Sequence, residues 1–149
     1  MKTTQGGKST KARILIIEDD PGVLMMMVRR LTQAGCDVDA AWNAKAGMQK
    51  ACEGNFDLIT LEVDLPGMNG FEMCRCLKRN SRLSDTMVVF VSWRASLEDQ
   101  QQGLELGAAD YITKPFDALD FASRILSHAK QASGVCHRLN KSLRFRRKH

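Results

Sequence analysis

The sequence lacks the features that mark membrane proteins, secreted proteins and zinc-binding proteins. No stretch approaches the roughly 18 consecutive apolar residues that a membrane-spanning helix requires, and the polar start MKTTQGGKSTKAR has no apolar signal-peptide core. The five cysteines are odd in number and form no C-x-x-C pair, which argues against a disulfide framework or a zinc site. We therefore expect a cytoplasmic protein with reduced thiols and no contact with a membrane.

The excess of positive charge lies at the two ends of the chain. The whole sequence holds 22 Lys and Arg against 17 Asp and Glu, a net charge of +5. Residues 1–13 contribute four of the bases and residues 136–149 contribute six, and neither segment has an acid. Residues 14–135 are left with 12 bases and 17 acids. This split predicts an acidic folded part with basic ends, not a basic surface built into the fold.

The length and apolar content predict one folded domain. A chain of 149 residues with 44% hydrophobic residues can bury a core of its own but has no room for a second large domain. We expect this domain at residues 13–133, between a basic N-terminal tail at 1–12 and a basic C-terminal tail at 134–149. The C-terminal tail is expected to be solvated or to start a linker, and contact with nucleic acid through its clustered bases is the lesser alternative.

Five short apolar runs alternate with five segments of helical periodicity, which is typical of a parallel α/β sheet. The predicted strands are residues 13–17, 37–42, 57–62, 87–92 and 109–113. The predicted helices are residues 21–34, 43–54, 69–80, 97–106 and 117–133. Asp20 and Asn43 are expected to cap the first two helices, and Gly35 and Gly107 to end the first and the fourth.

Polar residues lie at the ends of four predicted strands. They are Glu18 and Asp19 after the first, Glu62 at the end of the third, Ser92 at the end of the fourth and Lys114 after the fifth. In an open parallel sheet the carboxyl ends of the strands line one cleft, so these side chains are expected to converge. Carboxylate oxygens suit a hard cation such as Mg²⁺, and an ammonium beside a hydroxyl suits phosphoryl oxygens. The pattern indicates a Mg²⁺-assisted phosphoryl-acceptor pocket with one carboxylate as the nucleophile.

Four stretches of the chain resemble the receiver domain of two-component response regulators. They are ILIIEDDP at 14–21, FDLITLEVDLPGMNGFEMCRCLK at 56–78, VVFVS at 88–92 and GAADYITKPF at 107–116. The resemblance covers residues 12–132, with the stretches in the family's order and spacing. It implies an α/β, flavodoxin-like, doubly wound fold whose five-stranded parallel sheet has the order 2-1-3-4-5, with helices on both faces. It also implies a signalling protein that meets a sensor histidine kinase and is not an enzyme.

The resemblance assigns roles to particular residues. The implied magnesium ligands are Glu18, Asp19, Glu62 and the backbone carbonyl of Asp64. Of the acidic pair, Asp19 is the more direct ligand. Ser92 and Lys114 would contact the phosphoryl group. Ser92 and Tyr111 are the implied switch residues, with plain packing as the alternative for the tyrosine, and the Lys114–Pro115 bond is implied to be cis.

The acceptor position departs from the family. Receivers place an aspartate four residues before the loop proline, and here Glu62 stands four residues before Pro66. Asp64 is no substitute, because it lies two residues further on in the loop. The extra methylene of glutamate moves its carboxylate by about 1.5 Å. This shift either misplaces the nucleophile, which costs about 100-fold in rate for about 1 Å, or lets the carboxylate reach Lys114 and Ser92 as phosphoryl oxygens would.

Two functional hypotheses remain. In the first, the chain is a stand-alone receiver with weak or absent phosphorylation and weakened Mg²⁺ binding. It signals as a conformational switch through the face formed by its fourth helix, fifth strand and fifth helix, to another protein or as a homodimer. Trp93 favours this hypothesis, because a bulky ring after Ser92 restricts access to the pocket. In the second, the chain still takes phosphoryl from a histidine kinase with Mg²⁺, and the retained Asp19, Ser92 and Lys114 favour it.

Overall fold

The computed structural model describes residues 11–132, which form five strands and five helices in the predicted alternation. The elements are β1 (Arg13–Ile17), α1 (Pro21–Gln33), β2 (Asp37–Ala41), α2 (Ala44–Glu53), β3 (Leu58–Leu61), α3 (Gly70–Arg79), β4 (Met87–Ser92), α4 (Leu97–Glu105), β5 (Asp110–Thr113) and α5 (Ala118–Ala132). Within these residues no helix has the length and apolarity to cross a membrane. The two predicted basic tails lie almost wholly outside the described residues and stay predictions.

The five strands form one parallel sheet in the order β2-β1-β3-β4-β5, as the resemblance implied. β1 pairs with β2 on one side and with β3 on the other, and β4 and β5 extend the sheet beyond β3. Parallel neighbours need a crossover connection, and a helix makes each one. The strand order reverses between β1 and β3, so a crevice forms there at the carboxyl edge of the sheet.

Apolar strand residues alternate between two layers of helices. In β1, Ile14 and Ile16 pack with α1 and α5, whereas Leu15 and Ile17 pack with α2 and α3. All four side chains are buried, in keeping with the unbroken apolar run in the sequence. Each such side chain contributes about 1.5–3 kcal/mol through burial. A strand held on both faces cannot slip along its axis, so the position of its carboxyl end is fixed.

Capping side chains and glycines lie where the sequence predicted them. The side chain of Asp20 accepts hydrogen bonds from backbone N–H groups of the first turn of α1, and Asn43 does the same for α2. Gly35 and Gly107 follow α1 and α4 with φ angles of 93° and 101°, the left-handed region that glycine favours. These local signals set the entry and exit of the helices.

β3 is shorter than predicted. It spans Leu58–Leu61 instead of 57–62. Glu62 therefore lies just past the strand, in the crevice. The carboxylate of Asp57 accepts from the backbone N–H of Arg13 over 2.8 Å. β2 also ends one residue early, at Ala41, and Trp42 is exposed.

Thr60, in the middle of β3, offers a test of the core. It is fully buried, it is paired in register with Ile16 and Val89, and its hydroxyl has no hydrogen-bond partner among residues 11–132. Valine has nearly the same shape without the hydroxyl. We expect Thr60→Val to raise the free energy of unfolding by about 1 kcal/mol in urea titrations, and the control Thr60→Ala to lower it by leaving a cavity. A loss of stability in Thr60→Val would reveal a partner for the hydroxyl.

Candidate functional site

The polar residues at the carboxyl edge of the sheet are buried. Glu18 is 1% exposed, Glu62 3% and Lys114 6%, and Ser92 is completely buried. Charged residues reach such burial almost only when they are paired. Asp19, in contrast, is exposed. The structure thus brings four of the predicted residues into the interior at one end of the sheet and leaves the fifth at the surface.

An ion network built on Lys114 occupies the centre of this end of the sheet. The ammonium of Lys114 donates to Oε1 of Glu18 and, over 2.7 Å, to Oε2 of Glu62. When only side-chain atoms are counted, none of the three is more than 3% exposed. Two carboxylates face one ammonium, so the trio carries one negative charge when both acids are ionised. Each member depends on the others, because a buried charge without a partner costs several kcal/mol.

Burial and ion pairing act in opposite directions on the titration of this network. Burial raises the pKa of Glu18 above its ordinary value, and the hydrogen bond from Lys114 offsets only part of this rise. For Lys114, burial lowers the pKa, but the hydrogen bonds with Glu18 and Glu62 outweigh it, so the pKa lies above its ordinary value. Lys114 therefore stays charged at neutral pH, whereas Glu18 takes up a proton at a higher pH than a solvated glutamate does.

Both carboxylate oxygens of Glu62 are engaged. Oε2 binds Lys114, while Oε1 accepts from the backbone N–H of Val63 over 2.6 Å and of Asp64 over 3.3 Å. The extra methylene lets the carboxylate fold back over its own loop. It consequently meets Lys114 but not Ser92, whose hydroxyl oxygen instead accepts from the backbone of a neighbouring residue. Of the two contacts that the alternative of a longer reach gave to Glu62, the structure has the one with Lys114, while the carboxylate turns toward its own loop and not toward Ser92.

The start of α3 holds the backbone of Glu62 in place. A Cβ at Gly70 would lie 2.2 Å from the carbonyl oxygen of Glu62 and 2.9 Å from Cα of Val63, so only glycine permits this approach. The N–H of Gly70 donates to the carbonyl of Val63 over 2.7 Å. Since any larger residue at Gly70 has to push the loop away, the helix and the acceptor loop form one packed unit.

Arg94 connects several predicted residues, although no motif points to it. Its guanidinium binds the carboxylate of Asp64. Nε lies 2.9 Å from Oδ1 and 3.1 Å from Oδ2, and Nη2 lies 2.8 Å from Oδ1. Its backbone N–H donates to Oγ of Ser92 over 3.1 Å, and its carbonyl accepts from the hydroxyl of Tyr111 over 2.6 Å. The sequence did contain a signal for this pair. Asp64 stands two positions after Glu62, Arg94 stands two positions after Ser92, and their charges are opposite.

Tyr111 points into the fold from the edge strand β5. It is 5% exposed, and its ring centroid lies 5.7 Å from that of Phe90. Burial raises the pKa of its phenol above the ordinary value. A Cβ at Gly103 of α4 would lie 2.9 Å from both rings, so the absence of a side chain there lets α4 rest on them. Tyr111 thus has a packing role in this structure, and its role as a switch stays a prediction.

Trp93 lies at the mouth of the pocket. Its ring is 59% exposed, and Nζ of Lys114 lies 5.9 Å from the ring centroid. This distance is at the outer limit of a cation–π contact. Trp93 therefore lies beside the ammonium while most of its own surface faces solvent, and its effect on access to the pocket stays a prediction. The Lys114–Pro115 bond, implied to be cis, is cis.

The predicted magnesium ligands do not form a ready donor set. In residues 11–132 no group of three or more His, Cys, Asp or Glu could hold a metal ion. Glu18 and Glu62 bind Lys114, and the carboxylate of Asp64 binds Arg94. As arranged, the residues do not fit a divalent ion, because the ammonium stands where a cation between the two carboxylates would lie. Magnesium binding by this chain stays a prediction.

The fold and the crevice residues first define a class, the doubly wound flavodoxin-like proteins that carry their site at the switch point of the sheet. Residues 14–126 match the family described as the response regulator receiver domain. The chain belongs to this family. Its members are generally non-enzymatic signalling proteins that interact with histidine kinases, and they typically bind Mg²⁺ for phosphorylation.

The curated relatives are longer proteins. The DNA-binding dual master transcriptional regulator RpaA of Synechocystis sp. is 38% identical over 113 residues, which cover 76% of this chain and 47% of the relative. The transcriptional activator protein IrlR of Burkholderia pseudomallei is 40% identical over 115 residues, which cover 77% and 49%. The chain thus spans about half the length of the relatives it matches.

Solved receiver domains share the fold. A CheY-like receiver domain protein from Methanospirillum hungatei JF-1 is 28% identical with a TM-score of 0.76, and the match covers 83% of this chain and 97% of that one. The chemotaxis response regulator CheY4 of Vibrio cholerae is also 28% identical, with a TM-score of 0.74 and coverage of 80% and 99%. Both matches cover nearly the whole of the solved chain, so the fold of this protein is that of an entire receiver domain.

Removal of the ammonium should destabilise the fold in a pH-dependent way. Lys114→Met leaves Glu18 and Glu62 buried without a cation, and we expect it to lower the free energy of unfolding at neutral pH by about 3–5 kcal/mol. Burial of Glu18 then acts without its opposing hydrogen bond, so the folded-state pKa of Glu18 rises further above its unfolded value.

A carboxyl with a raised folded pKa stabilises the fold below its unfolded pKa, and this stability is lost as the pH rises through the folded pKa. The deficit of Lys114→Met relative to wild type should therefore shrink toward about pH 4, as measured by urea unfolding across pH. The matched control is Lys50→Met, which removes an exposed ion pair with Asp39. A pH-independent deficit in Lys114→Met would contradict the network.

Proposed function

We propose that this receiver domain works as a protein-binding conformational switch in which phosphorylation is weak or absent. The observation that supports it best is the engagement of both oxygens of Glu62, by Lys114 on one side and by the backbone of its own loop on the other. A nucleophile must present a free lone pair to its target, and misplacement by about 1 Å costs about 100-fold in rate. Oε1 has to give up a hydrogen bond from its own loop before it can attack, and Oε2 can attack only from beside the ammonium of Lys114.

The same contacts favour a state that is set by the sequence itself. In a phosphorylated receiver, a lysine such as Lys114 meets an anionic phosphoryl oxygen. Here the carboxylate of Glu62 already places an anionic oxygen 2.7 Å from that ammonium. The negative charge that phosphorylation would add is thus partly present in the unmodified protein, and the conformation depends less on a phosphodonor.

The retained residues support the alternative function, a receiver that still accepts phosphoryl with Mg²⁺ from a histidine kinase. Ser92 and Lys114 stand at the ends of β4 and β5, and Asp19 is exposed. In this alternative, Glu18 or Glu62 exchanges Lys114 for the metal ion. We propose that this exchange makes Mg²⁺ binding weak, since the ammonium must first be displaced from two buried carboxylates.

A chemical phosphodonor separates the two functions. We expect no phosphoryl adduct in the intact mass of the protein after incubation with Mg²⁺ and acetyl phosphate, and an adduct in Glu62→Asp. In Glu62→Asp the carboxylate has the reach of the aspartate that the family places at this position, so its oxygen is positioned for attack. Glu62→Gln serves as the matched control without a nucleophile. An adduct on the unaltered protein that maps to Glu62 would sink the proposal and establish the alternative.

Trp93 sets access to the same pocket. In the Glu62→Asp background, we expect Trp93→Ala to speed adduct formation, because a bulky, largely exposed ring then no longer lies 5.9 Å from Nζ of Lys114. The rate is read from the time course of the intact mass. Trp42→Ala is the matched control, since Trp42 is 66% exposed and follows the edge strand β2 instead of β4. Equal rates in the two double variants would show that Trp93 does not limit access.

For partner binding we propose the face formed by α4, β5 and α5. Leu97 and Leu104 lie seven residues apart on α4, hence on one side of the helix, and are 81% and 49% exposed. Leu119 on α5 is 70% exposed. Exposed leucines in such number suit a protein partner, a histidine kinase or a second copy of the chain.

Self-association gives the most direct test of this face. We expect Leu97→Glu with Leu104→Glu to lower any concentration-dependent association in sedimentation velocity, because charges on both partners would meet in the interface. Met25→Glu, on the exposed side of α1, is the control. If Met25→Glu and the leucine variant reduce association alike, the face is assigned wrongly.

A further inference from the structure

The loops after β3 and β4 are joined by one ion pair between Asp64 and Arg94. Three N–O distances between 2.8 and 3.1 Å link the guanidinium to the carboxylate, a two-pronged arrangement that fixes orientation as well as distance. The side chains are 58% and 44% exposed, so solvent and salt reach the pair. The pair differs from an ordinary surface pair, because the backbones of Asp64 and Arg94 also hydrogen-bond to the buried residues Glu62, Ser92 and Tyr111.

On the side of the pocket, Asp64 is tied to the acceptor position. Its backbone N–H donates to Oε1 of Glu62, the oxygen that does not face Lys114. On the other side, the backbone of Arg94 is held at two points, through its N–H by Oγ of Ser92 and through its carbonyl by the hydroxyl of Tyr111. A continuous series of contacts thus runs from Glu62 to Tyr111.

Tyr111 depends on this arrangement for its inward position. A buried phenol requires a hydrogen-bond acceptor, and the carbonyl of Arg94 supplies it at 2.6 Å. The ring then fills the space beneath Gly103 of α4. If the loop after β4 relaxes, the carbonyl moves away, and the hydroxyl loses the acceptor that it has at 2.6 Å.

We propose that the Asp64–Arg94 ion pair holds Tyr111 inward and thereby couples the acceptor loop to the α4-β5-α5 face. Arg94 is a positioning residue in this role and touches no reacting group. The inference rests on the contacts of these residues alone, and it holds whether or not Glu62 accepts phosphoryl. The Asp64–Arg94 ion pair is exposed, so it is sensitive to ionic strength, whereas the buried Lys114 network is not.

The single tyrosine of the chain gives a direct readout. Protein labelled with 3-fluorotyrosine has one ¹⁹F resonance, which reports the environment of Tyr111. We expect Asp64→Asn and Arg94→Met to move this resonance toward the position of a solvent-exposed fluorotyrosine and to increase its H₂O/D₂O isotope shift. The double variant should show no larger shift than either single variant, because the two residues act through one contact.

Two controls keep the test specific and independent of folding. Lys50→Met breaks another exposed ion pair, with Asp39, that lies on β2 and α2 away from Tyr111, and it should leave the resonance unchanged. In the unaltered protein, raising the salt from about 0.1 M to 1 M shortens the screening length from about 10 Å to 3 Å, and the resonance should move in the same direction as in Arg94→Met.

An unchanged resonance in both single variants and at high salt would overturn the proposal and leave Tyr111 held by packing alone. That outcome would not touch the proposed function, because the phosphorylation assay reads the mass of the protein and not the position of Tyr111. Conversely, an adduct on Glu62 would refute the proposed function and leave the ion-pair inference standing.

Discussion

The ammonium of Lys114, buried between the carboxylates of Glu18 and Glu62, is the interaction on which the pocket depends. The three residues follow β5, β1 and β3, so one cation joins the ends of three strands. Desolvation makes each of these charges costly alone, and the cost is met only while all three hold their positions. Burial of the strands on both faces fixes the strand ends, and the ion network then fixes the side chains that leave them.

One methylene changes what this framework can do. Glu62 binds Lys114 and accepts from the N–H of Val63 with one and the same carboxylate. A carboxylate with both oxygens satisfied is a poorer nucleophile, and it already supplies the anion that Lys114 would otherwise take from a phosphoryl group. In the function proposed above, Glu62 thus lowers the reactivity of this position and keeps an anionic partner for Lys114.

The sequence predicts the framework better than the contacts within it. Strand order, the caps at Asp20 and Asn43 and the convergence of Glu18 and Lys114 follow from local patterns and from the geometry of parallel sheets. The fold-back of Glu62 depends on a side-chain rotamer, which no spacing encodes. The pairing of Arg94 with Asp64 depends on the conformation of two loops, so opposite charges in the sequence suggest it only after the neighbouring strands are known.

Glu62 takes part in two electrostatic contacts, one through Lys114 and one through Asp64 and Arg94, and the two respond differently to salt. The link through Lys114 is buried and is little affected by salt, whereas the link through Asp64 and Arg94 is exposed and is screened. If Glu62 carries a permanent charge, the pocket no longer supplies the variable signal. A partner at the α4-β5-α5 face then shifts the conformation only by the difference between its affinities for the inward and the outward positions of Tyr111. In such a receiver, a partner bound at the α4-β5-α5 face can change the conformation of the pocket. The coupling free energy is the same in both directions, because linkage between two sites is reciprocal.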